Sequence, residues 1–99
     1  MTTLRWTEQA VDDIRSIREF IERDSPRYGR LVAERLLEAT SQIGLFPRAG
    51  RVVPEIGRED MREIIVGEYR LVYRLEAEVA VLLTVFRSSR LLPVRGLEE

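Results

Sequence analysis

The chain has no cysteine, no histidine and no lysine in its 99 residues. Without cysteine there is no disulfide, no thiol nucleophile and no thiolate metal site. Without histidine the usual neutral-pH acid/base, the usual triad base and the commonest transition-metal ligand are missing. Without lysine no amine can form a Schiff base or serve as a general base. The rows contain no run of about eighteen apolar residues, so no membrane span is expected. The opening Met1-Thr2-Thr3-Leu4-Arg5-Trp6 lacks an apolar signal-peptide core, and a cytoplasmic location is expected.

All 16 basic residues are therefore arginine, against 17 acidic ones, for a net charge of −1. That balance excludes a globally basic nucleic-acid binder, so an anionic partner must meet a local arginine cluster. Apolar residues at 44% and charged residues at 33% fit a soluble globular chain. The length is that of one domain, and no internal repeat or flexible linker divides it.

The hydrophobic pattern changes period midway. Leu4-Arg5-Trp6 is a short extended start. Thr7 is an N-cap candidate with Glu8 in the first turn. Ala10, Val11, Ile14, Ile17, Phe20 and Ile21 then recur at three- and four-residue steps, which predicts an amphipathic helix with Asp12 and Asp13 on its solvated face. Ser25-Pro26 caps and starts a second helix, with Gly44 as its expected end. The two form an antiparallel helical hairpin over residues 1–46, after the initial strand. Residues 47–60 hold two prolines and two glycines and predict a structured loop, with a short strand near Val52-Val53. Residues 61–87 predict an antiparallel meander. Met61 to Val66 is one strand and Gly67-Glu68 a type II′ turn. Tyr69 to Leu75 alternates, and Val79 to Phe86 is apolar enough for a central strand covered on both faces. Residues 88–99 show turn and charge signals only. The sum is a two-layer α+β domain, a helical hairpin on a small antiparallel sheet.

The chemistry-bearing feature is arginine on the strand half. Arg70, Val72 and Arg74 share one strand face, while Tyr69, Leu71, Tyr73 and Leu75 share the other, which is assigned to the core. Strand adjacency is expected to bring Arg62, Arg70, Arg87 and Arg90 onto one sheet face, where guanidinium groups suit phosphate or carboxylate. The competing reading is a solvated face with these arginines paired to Glu63, Glu68, Glu76 and Glu78. Candidates for bond-making chemistry are few. Ser88 and Ser89 have no histidine or lysine to accept a proton. Glu55, Glu59, Asp60 and Glu63 are read as surface carboxylates, any one of which would serve as a base only if burial raised its pKa. Trp6 is read as a packing anchor. No metal-ligand spacing, phosphate loop or dinucleotide glycine pattern occurs.

Three segments taken together resemble the RelE/ParE superfamily of bacterial toxins. They are Pro47-x-x-Gly50-Arg51-x-Val53-Pro54-Glu55, the hairpin Met61 to Arg74 containing GEYRLVYR, and Val85-Phe86-Arg87-Ser88-Ser89-Arg90-Leu91-Leu92-Pro93. The opening Trp6-Thr7-x-x-Ala10-x-x-Asp13-Ile14 is also similar. The resemblance implies the toxin of a type II toxin–antitoxin pair, with a helical hairpin on a small sheet, no cofactor and a cognate antitoxin as partner. Arg51, Arg62, Arg70, Arg87 and Arg90 are its candidates for target or phosphate binding. Two branches compete. In the ribosome-dependent mRNA endonuclease branch, Arg70 and Arg90 match the arginines on the cleaved phosphate, and the partners would be the ribosome and mRNA. That branch's loop lysines and C-terminal tyrosine or histidine–tyrosine pair have no match here. Arginine stabilises phosphate charge but is a poor base. The departures favour the ParE-like branch, whose target is DNA gyrase. A homologue that only binds antitoxin is a third reading.

Overall fold

The structure, a computed structural model, describes residues 2–89. It contains β1 (Thr3–Trp6), α1 (Glu8–Glu22), α2 (Pro26–Leu45), β2 (Arg51–Val52), β3 (Met61–Val66), β4 (Tyr69–Leu75) and β5 (Val79–Arg87). The predicted tail from residue 90 lies outside the described residues. No helix among those described is long and apolar enough to cross a membrane.

Capping fixes the helical hairpin. The Thr7 side chain accepts from the Ala10 N–H, and Ser25 accepts from the Tyr28 N–H just ahead of Pro26. The second helix runs past Gly44 to Leu45, so Gly44 does not end it. Pro47 does, because the residue before a proline is driven out of the helical region, and Phe46 sits at φ −134° and ψ 71°.

The sheet order is β1-β5-β4-β3-β2. The meander β3-β4-β5 is antiparallel as expected, with β2 antiparallel to β3. The initial strand joins β5 in parallel, so the sheet is mixed. Two helices between β1 and the meander provide the long crossover that a parallel neighbour needs. Gly67 takes φ +58° at the first turn position and Glu68 does not have positive φ, as a type II′ turn requires.

Both helices cover one sheet face. Ala10, Ile14, Leu36 and Ile43 pack there on Leu71, Tyr73, Ala80 and Leu82, with Trp6 and Ile17 at the margin. Val11 and Phe20, assigned to the same stripe from periodicity, are exposed; the buried row is narrower than the apolar one. The opposite sheet face carries a second, smaller core of Val53, Met61, Val72, Val81 and Leu83, roofed by the loop after β2 with Ile56. The central strand β5 serves both cores. Tyr73 pairs with Leu82 and Val72 with Thr84, which leaves Leu83 as an extra residue on β5. This bulge flips the alternation, so Leu82 and Val85 both face the helices.

Asp13 is not part of a solvated face. One oxygen of its carboxylate accepts from the Thr84 hydroxyl at 2.5 Å and from the Val85 N–H at 3.0 Å. The Thr7 hydroxyl donates to the Leu83 carbonyl at 2.7 Å. These two side chains satisfy the edge of β5 where β1 has already turned into α1, as its backbone demands. We expect Asp13→Ala to lower unfolding free energy by about 1–3 kcal/mol in a denaturant titration. Hydrogen exchange should quicken at the Val85 amide, while Asp13→Asn, which keeps an acceptor, loses less.

Candidate functional site

Arg70 lies on β4 between Ile65 of β3 and Phe86 of β5, on the sheet face away from the helices. It is 5% exposed. Its Nη1 and Nη2 each donate to a different oxygen of Glu55 at 2.8 Å, a two-pronged pair that fixes both orientation and distance. Its Nε donates to Glu63 Oε1 at 2.8 Å, and Nη2 also reaches that oxygen. The guanidinium carbon stands 5.1 Å from the centre of the Phe86 ring. Glu63 is 1% exposed and accepts on its other oxygen from Arg51 Nε. Two cations and two anions thus form a neutral cluster, the only arrangement in which charges at this depth are tolerable. The hydrogen bonds to Glu55 hold the Arg70 pKa above its ordinary value; burial opposes this, and Glu63 adds to the rise.

Two further side chains fasten the same loop. The Tyr73 hydroxyl donates to the Pro47 carbonyl at 2.7 Å and accepts from the Gly50 N–H at 3.1 Å. A β-carbon at Gly50 would collide with that hydroxyl and come within 2.8 Å of the Glu63 carbonyl, which is why glycine stands there. Burial pushes the Tyr73 pKa up, against the Gly50 hydrogen bond and the charge of Arg62. Arg62 works from the other sheet face. It donates to the Gly50 carbonyl at 3.0 Å, the Glu59 carbonyl at 2.8 Å and the Glu59 carboxylate at 2.8 Å.

This geometry corrects the expected convergence of arginines. Arg62 is registered with Tyr73 and Arg87 with Tyr69, on the helix side, whereas Arg70 is on the far side. Hairpin register decides this, since residues paired across strands share a face. Arg51 joins Arg70 through Glu63, with its side chain 61% exposed. Arg90 lies outside the described residues. The solvated-face alternative is right in pairing, since Glu63 holds Arg70 and Arg51 and Glu76 holds Arg74, but wrong in solvation at its centre, because Arg70 and Glu63 are buried.

Each of the four carboxylates considered as a base is bonded to an arginine. Glu55 and Glu63 hold Arg70, Glu59 holds Arg62, and Asp60 takes Arg58 at 2.6 and 3.0 Å. Glu63 is therefore not the surface carboxylate the sequence implied. The hydrogen bond from Arg58 draws the Asp60 carboxyl below the usual carboxylate range, away from the value a base at neutral pH needs. Ser88 donates its backbone N–H to the Glu68 carbonyl at 2.7 Å, closing the turn beside the β3-β4 hairpin.

Sequence reasoning missed a second feature. An open cavity of about 690 Å3 lies between α1 and the end of β5, walled by Ile17, Phe20, Tyr69 and Phe86 with Asp13 at one end and Arg23 and Arg87 on its rim. Its one sequence signal is Phe20, an aromatic among charged neighbours that periodicity assigns to the core.

This α+β fold, a helical hairpin on one face of a five-stranded sheet, is shared with chains of type II toxin–antitoxin systems. The chain belongs to the ParE toxin family of such systems, parDE, whose family pattern matches residues 4–92. It is similar in structure to a chain of the chromosomal ParDE toxin–antitoxin system from P. aeruginosa. That likeness has a TM-score of 0.74 at 17% identity and covers 88% of this chain and 96% of the other. It is also similar to a chain of the toxin–antitoxin complex RelBE2 from Mycobacterium tuberculosis. There the TM-score is 0.59 at 26% identity, over 90% of this chain and 93% of the other. No curated protein sequence matches it.

Removing Arg70 would strand two carboxylates. We expect Arg70→Ala to cost about 3–5 kcal/mol in chemical denaturation, and Arg70→Lys to recover only part of it, since a point charge cannot grip Glu55 with two prongs. Tyr73 gives a pH signature. Its raised pKa means that the folded state keeps a proton that the unfolded state loses above about pH 10. Stability should then fall as pH rises through that range. Tyr73→Phe should abolish that part of the slope, with a cost of about 1–3 kcal/mol at neutral pH. Absorbance titration of tyrosinate, run beside denaturation at each pH, checks both.

Proposed function

We propose that this toxin acts in the ParE-like manner, by engaging DNA gyrase in the cytoplasm, and that a cognate antitoxin neutralises it. One observation carries the choice against RNA cleavage. Arg70, the arginine that corresponds to the endonuclease branch's strand arginine, is held by Glu55 and Glu63 beneath the surface. A guanidinium bonded to two carboxylates stabilises the fold and leaves little affinity for a scissile phosphate. Cleavage through a 2′-hydroxyl also needs a proton acceptor, and the carboxylates nearest Arg70 are tied to arginines. Engagement of a protein target needs no proton acceptor or donor of this kind. The family membership and the two structural likenesses support the toxin–antitoxin setting.

Expression without antitoxin should arrest growth, and co-expression of the protein from the adjoining reading frame should restore it. The purified toxin should inhibit gyrase supercoiling or trap cleaved DNA. Untouched gyrase at high excess, together with toxin-dependent cuts in translated messages by primer extension, would reverse the assignment. Normal growth with soluble toxin would leave only an antitoxin-binding role.

A further inference from the structure

We propose that β1 is a contact surface for a second copy of this chain, with the two β1 strands paired antiparallel about a twofold axis so that two sheets become one. The inference is independent of the target assigned above. The backbone supplies the first argument. β1 is an end strand of the sheet, and its one neighbour is β5. The Thr3 N–H donates to the Glu78 carbonyl at 2.9 Å and the Thr7 N–H to the Leu82 carbonyl at 3.1 Å. Thr3, Arg5 and Thr7 therefore turn their backbone groups towards β5, and Leu4 and Trp6 turn theirs outward. No described residue pairs with those outward groups. β1 has no proline and no bulge, two devices that keep an end strand single. The strand at the other end of the sheet, β2, has two residues only.

The second argument is shape. A β-carbon at Gly44 would stand 3.6 Å from the Thr2 carbonyl oxygen, so the end of α2 lies beside the start of β1. Leu45 and Phe46 are there, 54% and 60% exposed. Beside the finish of β1 is an open groove of about 290 Å3, lined by Trp6, the half-exposed Val11 and Asp12. Antiparallel pairing lays the start of one β1 beside the finish of the other. Each copy then offers Leu45 and Phe46 to the groove of the other, the reciprocal match that a twofold interface requires.

Charge fixes the register. An axis through Arg5 would set like charges directly opposite across the two strands. An axis through Leu4 pairs the outward groups of Leu4 with those of its copy and sets Arg5 opposite Thr3. Thr3 is registered with Val79, the residue after Glu78. Neither Arg5 nor Glu78 has an ion-pair partner among the described residues. The Arg5 of each copy thus comes within reach of the Glu78 of the other. Nucleic acid is disfavoured as the occupant, since Glu8, Asp12 and Glu78 border the same edge.

The test uses the full chain, purified free of other proteins. Sedimentation equilibrium should show a reversible dimer, and the shortness of β1 sets its Kd at about 1–100 μM. Phe46→Asp and Val11→Glu alter exposed side chains, so thermal melts of dilute protein should match the wild type. Each should weaken the dimer by about tenfold or more. Arg5→Glu and Glu78→Arg should each weaken it, and the two together should recover part of the loss. Tyr28→Ser, at the other end of α2, should leave it unchanged. Because the chain has no cysteine, Thr3→Cys mixed with Arg5→Cys should cross-link on mild oxidation, and faster than either variant alone, since residues opposite each other across antiparallel strands hold their β-carbons about 4.5–5.5 Å apart. A chain that stays monomeric throughout that range, or a dimer that none of these variants weakens, would overturn the proposal. Loss of antitoxin binding by the Phe46 and Val11 variants of a monomeric toxin would assign the edge to the antitoxin. A dimer that forms only after deletion of residues 90–99 would assign it to the chain's own tail. Either result also overturns the proposal.

Discussion

The loop from Pro47 to Asp60 has almost no regular structure, and its position depends on Arg70. Strand β2 contributes two residues, and the rest of the segment is held by side chains rising from the sheet. The guanidinium of Arg70 joins Glu55 on that loop to Glu63 on β3, and Glu63 passes the connection to Arg51. Arg70, Glu63 and Glu55 are buried or largely buried because their counter-ions are in place, and the loss of one would expose the rest to an uncompensated interior. The second core under the loop exists only while the loop lies down. Val53 and Ile56 reach Met61, Val72 and Leu83 because Glu55, between them in sequence, is pinned to the sheet. Planar, multi-pronged donors suit this work, and a chain whose basic residues are all arginine supplies them throughout.

Much of the architecture was legible in the residues. The three- and four-residue apolar spacing of 10–21, the Ser25-Pro26 cap, Gly67-Glu68 and the alternation of Tyr69 to Leu75 each have a local physical cause, and each element appears where that cause puts it. What was not legible depends on contacts distant in sequence. Asp13 looks like any solvated helix carboxylate until β5 is brought alongside it. The flip at Leu83 is hidden because Val81 to Val85 is apolar on both faces apart from Thr84. Arg70 and Glu63 are ordinary surface residue types whose burial follows from a loop that folds over them. The resemblance to RelE/ParE toxins located the motif segments, and the structure supplies reasons for their residues. Pro47, Gly50, Arg51, Val53 and Glu55 are all parts of one fastening.

The two faces of the sheet thus divide their tasks. On one, charge is buried, balanced and turned inward. On the other, where α1 leaves the edge of β5 uncovered, an aromatic ring and two arginines remain open to solvent. The strand arginine that sequence comparison makes the obvious functional residue is an internal fastening. The open cleft beside α1 is one that no motif marks.

The order of strands has a consequence for how such a protein comes into being. Among the described strands, the one that lies second in the sheet, β5, is the last to be made, and its parallel neighbour β1 is the first. The helical hairpin, built from local contacts, can assemble while the ribosome is still at work, but its apolar face has nothing to rest on until residues 79–87 emerge. A protein arranged in this way completes its main core only late in its own translation, once β5 slides between β1 and β4.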